Sequence, residues 1–364
     1  MRRRQLLQGA FAASSASLIA GCEDPEPAAA AAWRGPPASV AADPLAAILA
    51  WAILAPSPAN AQPWQVRRIG PDRMVLGSDP TRRLSVQDPD GRQERLALGC
   101  FVELANLAAS VYGRRLLVGA GLEPELVLRS DPEARPDPLF AAVRQRRTSR
   151  RAFDVEKPVT AADAEALAEA AGAGVRTGFV TAADRVAALR ALASTAHAEA
   201  GTLPAVAAER AHWLRLGPAE AAARGDGIAI GGRWVGLAHR IGLLAAEDVT
   251  ARSGIAAGID RLFWDNLFAG TASFGWLATA GDDPEARLAA GRAYQRVDLA
   301  AAARGVAIHP VSEALGDLPE LAGRRTELER QLGVASPVRV QMLYRLGYAG
   351  PQSPSPRRGA SLIN

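Results

Sequence analysis

Val143-Arg144-Gln145-Arg146-Arg147-Thr148-Ser149-Arg150-Arg151-Ala152-Phe153 packs five arginines and two hydroxyls into eight residues. Guanidinium groups grip phosphate oxygens in bidentate fashion, and a hydroxyl or backbone N–H fills the remaining lone pairs. An arginine run can equally be a solvated surface loop. Here Thr148 and Ser149 lie inside the cluster and apolar Phe153 closes it. A solvated run has no use for either, so the stretch reads as an anion-binding segment.

Upstream lies a second distinctive stretch, Ala55-Pro56-Ser57-Pro58-Ala59-Asn60-Ala61-Gln62-Pro63-Trp64. Three prolines stiffen it, while Ser57, Asn60 and Gln62 project neutral hydrogen-bonding groups. Such a loop can read the edge of a flat heteroaromatic ring, or be a proline-rich turn with surface amides. It follows an apolar helix opened by Asp43-Pro44, an N-cap with proline in the first turn, and Trp64 leads into a strand.

Further upstream, residues 1–22 read as an export signal. Arg2-Arg3-Arg4 supplies a positive start with twin arginines, and the apolar run Gly9 to Ile19 is too short to span a bilayer. It ends in Leu18-Ile19-Ala20-Gly21-Cys22, which resembles a lipobox in which the cysteine becomes acylated. The expected location is the periplasmic or cell-envelope side, with a lipid anchor at Cys22. The alternative is ordinary signal cleavage. Cys100 is then the lone cysteine of the mature chain, set in an apolar run and read as a buried, inert thiol. Residues 23–42 are Ala- and Pro-rich and read as a flexible tether.

About half of the 364 residues are apolar, and charges nearly cancel at a formal +4. The basic residues are scattered arginines with no stripe of the kind nucleic acid needs, so that partner is excluded. Lys157 is the only lysine. The four histidines have no metal-ligand spacing, and no Gly-x-Gly-x-x-Gly follows a strand. No metal site and no catalytic acid or base is named.

Periodicity predicts helices over residues 92–112, 160–171, 183–199 and 285–304. Strands are expected at 65–68, 74–76, 125–129, 175–180, 275–280 and 338–346. A proline-rich break near 131–138 divides the remainder into a half over 43–138 and a half over 139–364. The second half carries a long glycine-rich, aperiodic insertion around 201–265, of the kind that often covers a site. Near the end, Arg357-Arg358 forms a second small arginine site.

Together, the Pro56-Ser57 to Asn60 stretch with Gln62-Pro63-Trp64, the Arg146-Arg147-Thr148-x-Arg150 run and the Arg357-Arg358 pair resemble the nitroreductase family of flavoproteins, its Acg-type branch above all. The resemblance implies an α+β nitroreductase-like fold and non-covalently held FMN. By the same resemblance, Arg146, Arg147, Thr148, Arg150, Arg357 and Arg358 would take the phosphate. Ser57, Asn60 and Gln62 would approach the ribityl chain and ring, with Pro310, Val311 and Ser312 as the turn facing the isoalloxazine. Ala59 stands where the branch usually has histidine, and Gly359 where proline commonly follows the arginines.

The first half has the amide loop without an arginine cluster before it. The second has the cluster, but at the corresponding later place reads Ala170-Ala171-Gly172-Ala173-Gly174-Val175. The expectation is two degenerate halves forming an intramolecular pseudo-dimer: a monomer binding one FMN. The implied function is an FMN-dependent oxidoreductase that passes electrons from a small-molecule donor to a nitro, quinone or similar acceptor. Rival readings are a protein that holds flavin with little turnover, and a lipid-tethered structural protein.

Overall fold

A computed structural model describes residues 30–250 and 254–359. The export signal, Cys22 and the first part of the tether lie outside the described residues. The first half begins with α1 (Pro44–Ala52), whose N-cap Asp43 accepts the backbone N–H groups of Leu45 and Ala46 at 3.0 and 3.3 Å. The strands β1 (Trp64–Gly70) and β2 (Arg73–Ser78) follow, then the 20-residue helix α2 (Arg92–Val111), β3 (Arg114–Val118) and β4 (Glu125–Ser130). All neighbours pair antiparallel, in the order β1-β2-β4-β3.

The second half repeats this plan around a long insertion. It opens with α3 (Ala161–Ala171) and β5 (Arg176–Val180). Next come α4 (Ala183–Gly201), α5 (Pro204–Trp213), β6 (Leu214–Leu216), α6 (Pro218–Arg224), β7 (Ile228–Ile230), α7 (Arg233–Arg240), α8 (Ala246–Val249) and α9 (Gly254–Ala269). The plan resumes with β8 (Ser273–Thr279), the 20-residue helix α10 (Pro284–Ala303), β9 (Ala307–Pro310), α11 (Ala322–Leu332) and β10 (Arg339–Gly347). The sheet order is β5-β8-β10-β9, again antiparallel throughout. Numbered within its own half, each sheet therefore runs first-second-fourth-third, with a long helix between its second and third strands.

The two long helices form the seam between the halves. Gly99 is the eighth residue of α2 and Gly291 the eighth of α10, counted from Arg92 and Pro284. A Cβ on Gly99 would lie 2.2 Å from the Leu288 carbonyl oxygen, and one on Gly291 2.1 Å from that of Leu96. Leu96 and Leu288 are each the fifth residue of their helix. The contact is thus reciprocal, as a two-fold interface requires. Arg95-Leu96-Ala97-Leu98-Gly99 and Arg287-Leu288-Ala289-Ala290-Gly291 carry this repeat in the sequence itself. Around it, Phe101, Leu104, Val297 and Leu299 join α1, β1 and β10 in one core.

Two sequence expectations look different in the fold. Residues 30–42, with the composition of a tether, are docked. Ala31–Arg34 forms a 3-10 turn, Trp33 is buried, and its indole N–H donates to the Ser355 carbonyl at 2.8 Å. A large aromatic buries enough apolar surface to order an otherwise featureless segment. The aperiodic stretch resolves into short helices and a parallel β6–β7 pair, and the insertion spans residues 181–272 between β5 and β8.

Candidate functional site

The loop from α1 to β1 is held in an unusual conformation. Ala59, Asn60 and Gln62 have φ of 47, 53 and 54°, in the left-handed region that side chains avoid. Its own bonds fix it in part: Ser57 Oγ accepts the Gln62 N–H at 2.9 Å, and the Ser57 carbonyl accepts the Asn60 N–H at 3.0 Å. The amides complete the job by reaching outward. Asn60 Nδ2 donates to the carbonyls of Gly227 and Pro356, both at 3.1 Å, and its Oδ1 accepts from Arg357 at 2.7 Å. Gln62 Nε2 donates to the Gly225 carbonyl at 2.8 Å, while its Oε1 accepts the Arg358 N–H at 3.0 Å. One loop thereby clamps both the insertion and the C-terminal tail, which supplies a reason for its strain.

The arginine segment is placed by β9. Thr148 forms a parallel bridge with Ile308, and the Ser149 N–H donates to the Ile308 carbonyl at 2.9 Å. This sets Thr148 and Arg150 beside the Pro310-Val311-Ser312 turn. From beneath, the fully buried Arg345 donates to the Arg151 carbonyl at 3.0 Å, to the Leu267 carbonyl, and to His309 Nδ1 at 3.4 Å. Its guanidinium lies 4.4 Å from the centre of the Phe153 ring, the residue that closes the cluster. Burial pushes Arg345 down to about 9. Burial, with Arg345 and Arg150 nearby, also holds His309 well below the usual imidazole range, so its ring is neutral.

These elements enclose a cavity of about 1150 Å³. Ser57, Asn60, Thr148, Arg150, Pro310, Val311, Ser312 and Arg357 line it. The other arginines and the second amide stand behind the wall. Arg146 is buried, pairs with Asp298 on α10 at 3.0 Å and donates to the Leu54 carbonyl at 3.2 Å, so it ties the halves together. Arg147 donates to the Arg146 carbonyl at 2.7 Å and lies 4.2 Å from the Trp33 ring centre. Gln62 and Arg358 bond to each other and to neighbouring carbonyls, outside the lining. Residues not assigned to the site from the sequence also line the cavity: Leu96, Ala97 and Cys100 from α2, Tyr294 from α10, and Trp213 and Trp264 from the insertion. The repeat at Leu96–Gly99 and Leu288–Gly291 was the one signal that could have pointed to this floor.

The charge around Trp33 is lopsided. Arg147 and the buried Arg357 donate to neutral oxygens, and among the described residues neither has a carboxylate partner. Burial and the Arg146 charge push Arg147 down to about 10, and burial with Arg146 and Arg147 pulls Arg357 well below its ordinary value. An anion arriving nearby would relieve this like-charge crowding. Elsewhere on the wall, Glu313 accepts from His197 Nδ1 at 3.1 Å and from Arg210 at 3.0 Å. Burial alone would raise the Glu313 carboxyl, but these two contacts outweigh it and hold the group well below the usual range. Cys100 is buried, its thiol pushed up chiefly by desolvation, and is no nucleophile. No cluster of His, Cys, Asp or Glu among the described residues could hold a metal.

No protein-family model matches the chain. Among solved structures, an FMN-dependent nitroreductase of Mycobacterium smegmatis in complex with NADPH aligns at 24% identity with a TM-score of 0.38, covering 62% of this chain and 97% of that one. A nitroreductase of Bacteroides fragilis with bound FMN aligns at 15% identity and a TM-score of 0.33, covering 59% and 89%. Over 351 residues the chain is 31% identical to proteins of two Mycobacterium tuberculosis strains provisionally named NAD(P)H nitroreductases, spanning 88% of this chain and 91% of theirs. By that likeness over nearly its whole length, the chain belongs to the nitroreductase family.

Proposed function

We propose that the protein is an FMN-dependent oxidoreductase of the nitroreductase type. It takes electrons from a nicotinamide donor and passes them to a nitro, quinone or similar acceptor, on the outer side of the membrane that holds it through Cys22. The observation that carries this reading is the single cavity in which the loop of one half meets the anion segment and the β9 turn of the other. Its volume of about 1150 Å³ is ample for a flavin nucleotide, since ligand pockets run to roughly 300–1,000 Å³.

The residues present fit that cofactor. Thr148 and Arg150 offer a hydroxyl and a guanidinium to a phosphate, in a field left positive by Arg147 and Arg357. The Pro310-Val311-Ser312 turn, held by the Val311 N–H bond to the Leu343 carbonyl, forms a wall for the edge of a ring, and Leu96, Ala97 and Tyr294 offer an apolar floor. When bound, the flavin supplies the hydride chemistry. The chain's own contribution is to anchor the phosphate, fix the ring against the β9 turn, and exclude water with the insertion and tail. No side chain is assigned a proton in the reaction.

The test is to purify the full chain, count flavin per chain by absorbance alongside light scattering, and add NADPH without oxygen. One FMN on a monomer, bleached rapidly by NADPH, is the expected result. A yellow protein reduced only by dithionite would turn the reading to a flavin-holding protein. A colourless protein that takes up no FMN would overturn both.

A further inference from the structure

We propose that the outer face of α7 and the segment after it form a membrane-docking surface, which lays the roof of the cavity on a phospholipid bilayer. Trp234, Leu237 and Ile241 follow one another at helical spacing along one side of α7 and its C-cap, and Leu243 carries the apolar run on to the mouth of the cavity. They are 80, 38, 60 and 59% exposed. A run of large apolar groups left in water marks an interaction site. On the adjoining side of the same helix, Val235 and Ala238 line the cavity, with Val235 buried. The helix thus has a reason to be folded where it is, and the described residues leave its Trp234 side uncovered.

The choice of a bilayer over another partner rests on composition and reach. Tryptophan and long aliphatic side chains flanked by arginine suit the headgroup boundary, where an aromatic ring has one apolar and one wet side. Arg233 and Arg240 flank the stripe in sequence, and Glu247 and Asp248 follow it, so apolar insertion rather than net charge would carry the contact. Among the described residues no helix is long and apolar enough to cross a membrane, so the contact would be interfacial. The reach argument rests on the lipid anchor proposed at Cys22. Trp33 is docked on the tail that lines the cavity, through Ser355. Only ten residues lie between Cys22 and Trp33, and the eleven Cα-to-Cα steps span at most ~40 Å. A body of this size is ~50 Å across. An anchored chain therefore cannot leave the bilayer by more than its own width, and an apolar face on it meets lipid at high local concentration.

The test uses the full chain in vesicles of phosphatidylcholine and phosphatidylglycerol that carry brominated acyl chains, which quench tryptophan on contact. Trp33, Trp51, Trp64 and Trp213 are buried and Trp264 and Trp276 half-buried, so a quenched signal is assigned to Trp234 by its loss in the Trp234→Phe variant. Quenching in the parent, absent in Trp234→Phe and largely lost in Ile241→Asp while far-UV circular dichroism is unchanged, is the expected result. A chain that floats with the vesicles but whose emission is unquenched, or is quenched equally in Trp234→Phe, overturns the surface and leaves the anchor standing. Quenching of Trp234 in a chain that does not float alone would retain the surface and overturn the anchor. Neither signal overturns both. If Trp234 is already shielded from acrylamide without lipid, and the protein runs as a dimer, a second copy covers the face and the bilayer proposal falls.

Discussion

The first sheet passes from its first strand to its second across Pro71 and Asp72; the second sheet does so only after residues 181–272. Apart from α11, which the second half adds between its third and fourth strands, the halves otherwise run in step: α1 and α3 precede their sheets, α2 and α10 bridge strands two and three, and both sheets share one strand order. The site is built where the two halves differ. The loop before β1 is long, strained and rich in amides, whereas its counterpart before β5 is the exposed Gly172-Ala173-Gly174. The arginine segment precedes α3, whereas among the described residues before α1 the one arginine is Arg34. The repeated plan supplies the frame, and the departures from it give each half its own wall of the cavity.

The seam that the halves share should be the most sensitive place. Gly291→Val forces a side chain against the Leu96 carbonyl, where even a Cβ would sit at 2.1 Å. A loss on the order of 4–5 kcal/mol or more is expected in urea denaturation. A variant that keeps the parent midpoint would show that the helices can part without cost.

Next comes the ion pair across the seam. Asp298→Asn leaves Arg146 buried at 3.0 Å from a neutral partner, for a loss of roughly 3–5 kcal/mol. Adding Arg146→Met should recover part of that loss, because it removes the uncompensated charge; no recovery would mean that the Leu54 carbonyl contact matters more.

The helix caps distinguish the halves by pH. Asp88 is buried and accepts the N–H groups of Gln93 and Glu94 at 3.0 and 2.8 Å, whereas Asp283, exposed, caps α10 through Ala286 at 2.8 Å. Burial raises the Asp88 carboxyl from 3.8 to about 6, overcoming the two N–H contacts. An acid whose folded value is raised binds its proton more tightly when folded. Its stabilisation is present below about 3.8 and lost as pH rises through about 6. The parent should therefore lose up to ~3 kcal/mol between those limits relative to Asp88→Asn. Equal pH slopes for the two proteins would remove Asp88 from the account.

The smallest effect tests the loops. Asn60→Ala frees Arg357 and the tail, and should weaken FMN binding by about 2 kcal/mol, roughly thirty-fold, measured by quenching of flavin fluorescence. Ala173→Ser, at the matching place in the second half, should leave affinity unchanged. If both variants weaken binding alike, the loops are not functionally distinct.

Much of this was legible in the chain. The amide loop and the arginine segment announced themselves because proline, amide and guanidinium chemistry is local, and helical periodicity located α2 and α10 to within a residue or so. Roles decided by distant partners were not legible. Nothing near Arg146 announces that Asp298 will claim it, 152 residues away, or that Asn60 will spend its amide on the tail. Trp33 read as part of a tether because composition averages over a segment, while docking depends on one ring. Val111 continues the apolar row of Phe101, Leu104 and Ala108 along α2 at helical spacing, yet as the last residue of that helix it is 41% exposed.

The unequal spacing of the paired strands also sets an order of events as the chain is made. β1 and β2 can meet within microseconds, as hairpins do. The β5–β8 pairing must wait for residues 181–272, and each doubling of a closed loop adds about 0.6 kcal/mol of closure entropy. Local pairings form first and distant ones last. On a ribosome, the first half can therefore be complete, with α2 backed by α1 and its own sheet, while the Gly99 face of α2 lacks its partner until Ala303 has emerged. The aggregation-prone species is that half-made chain, with one finished sheet and one bare helix face.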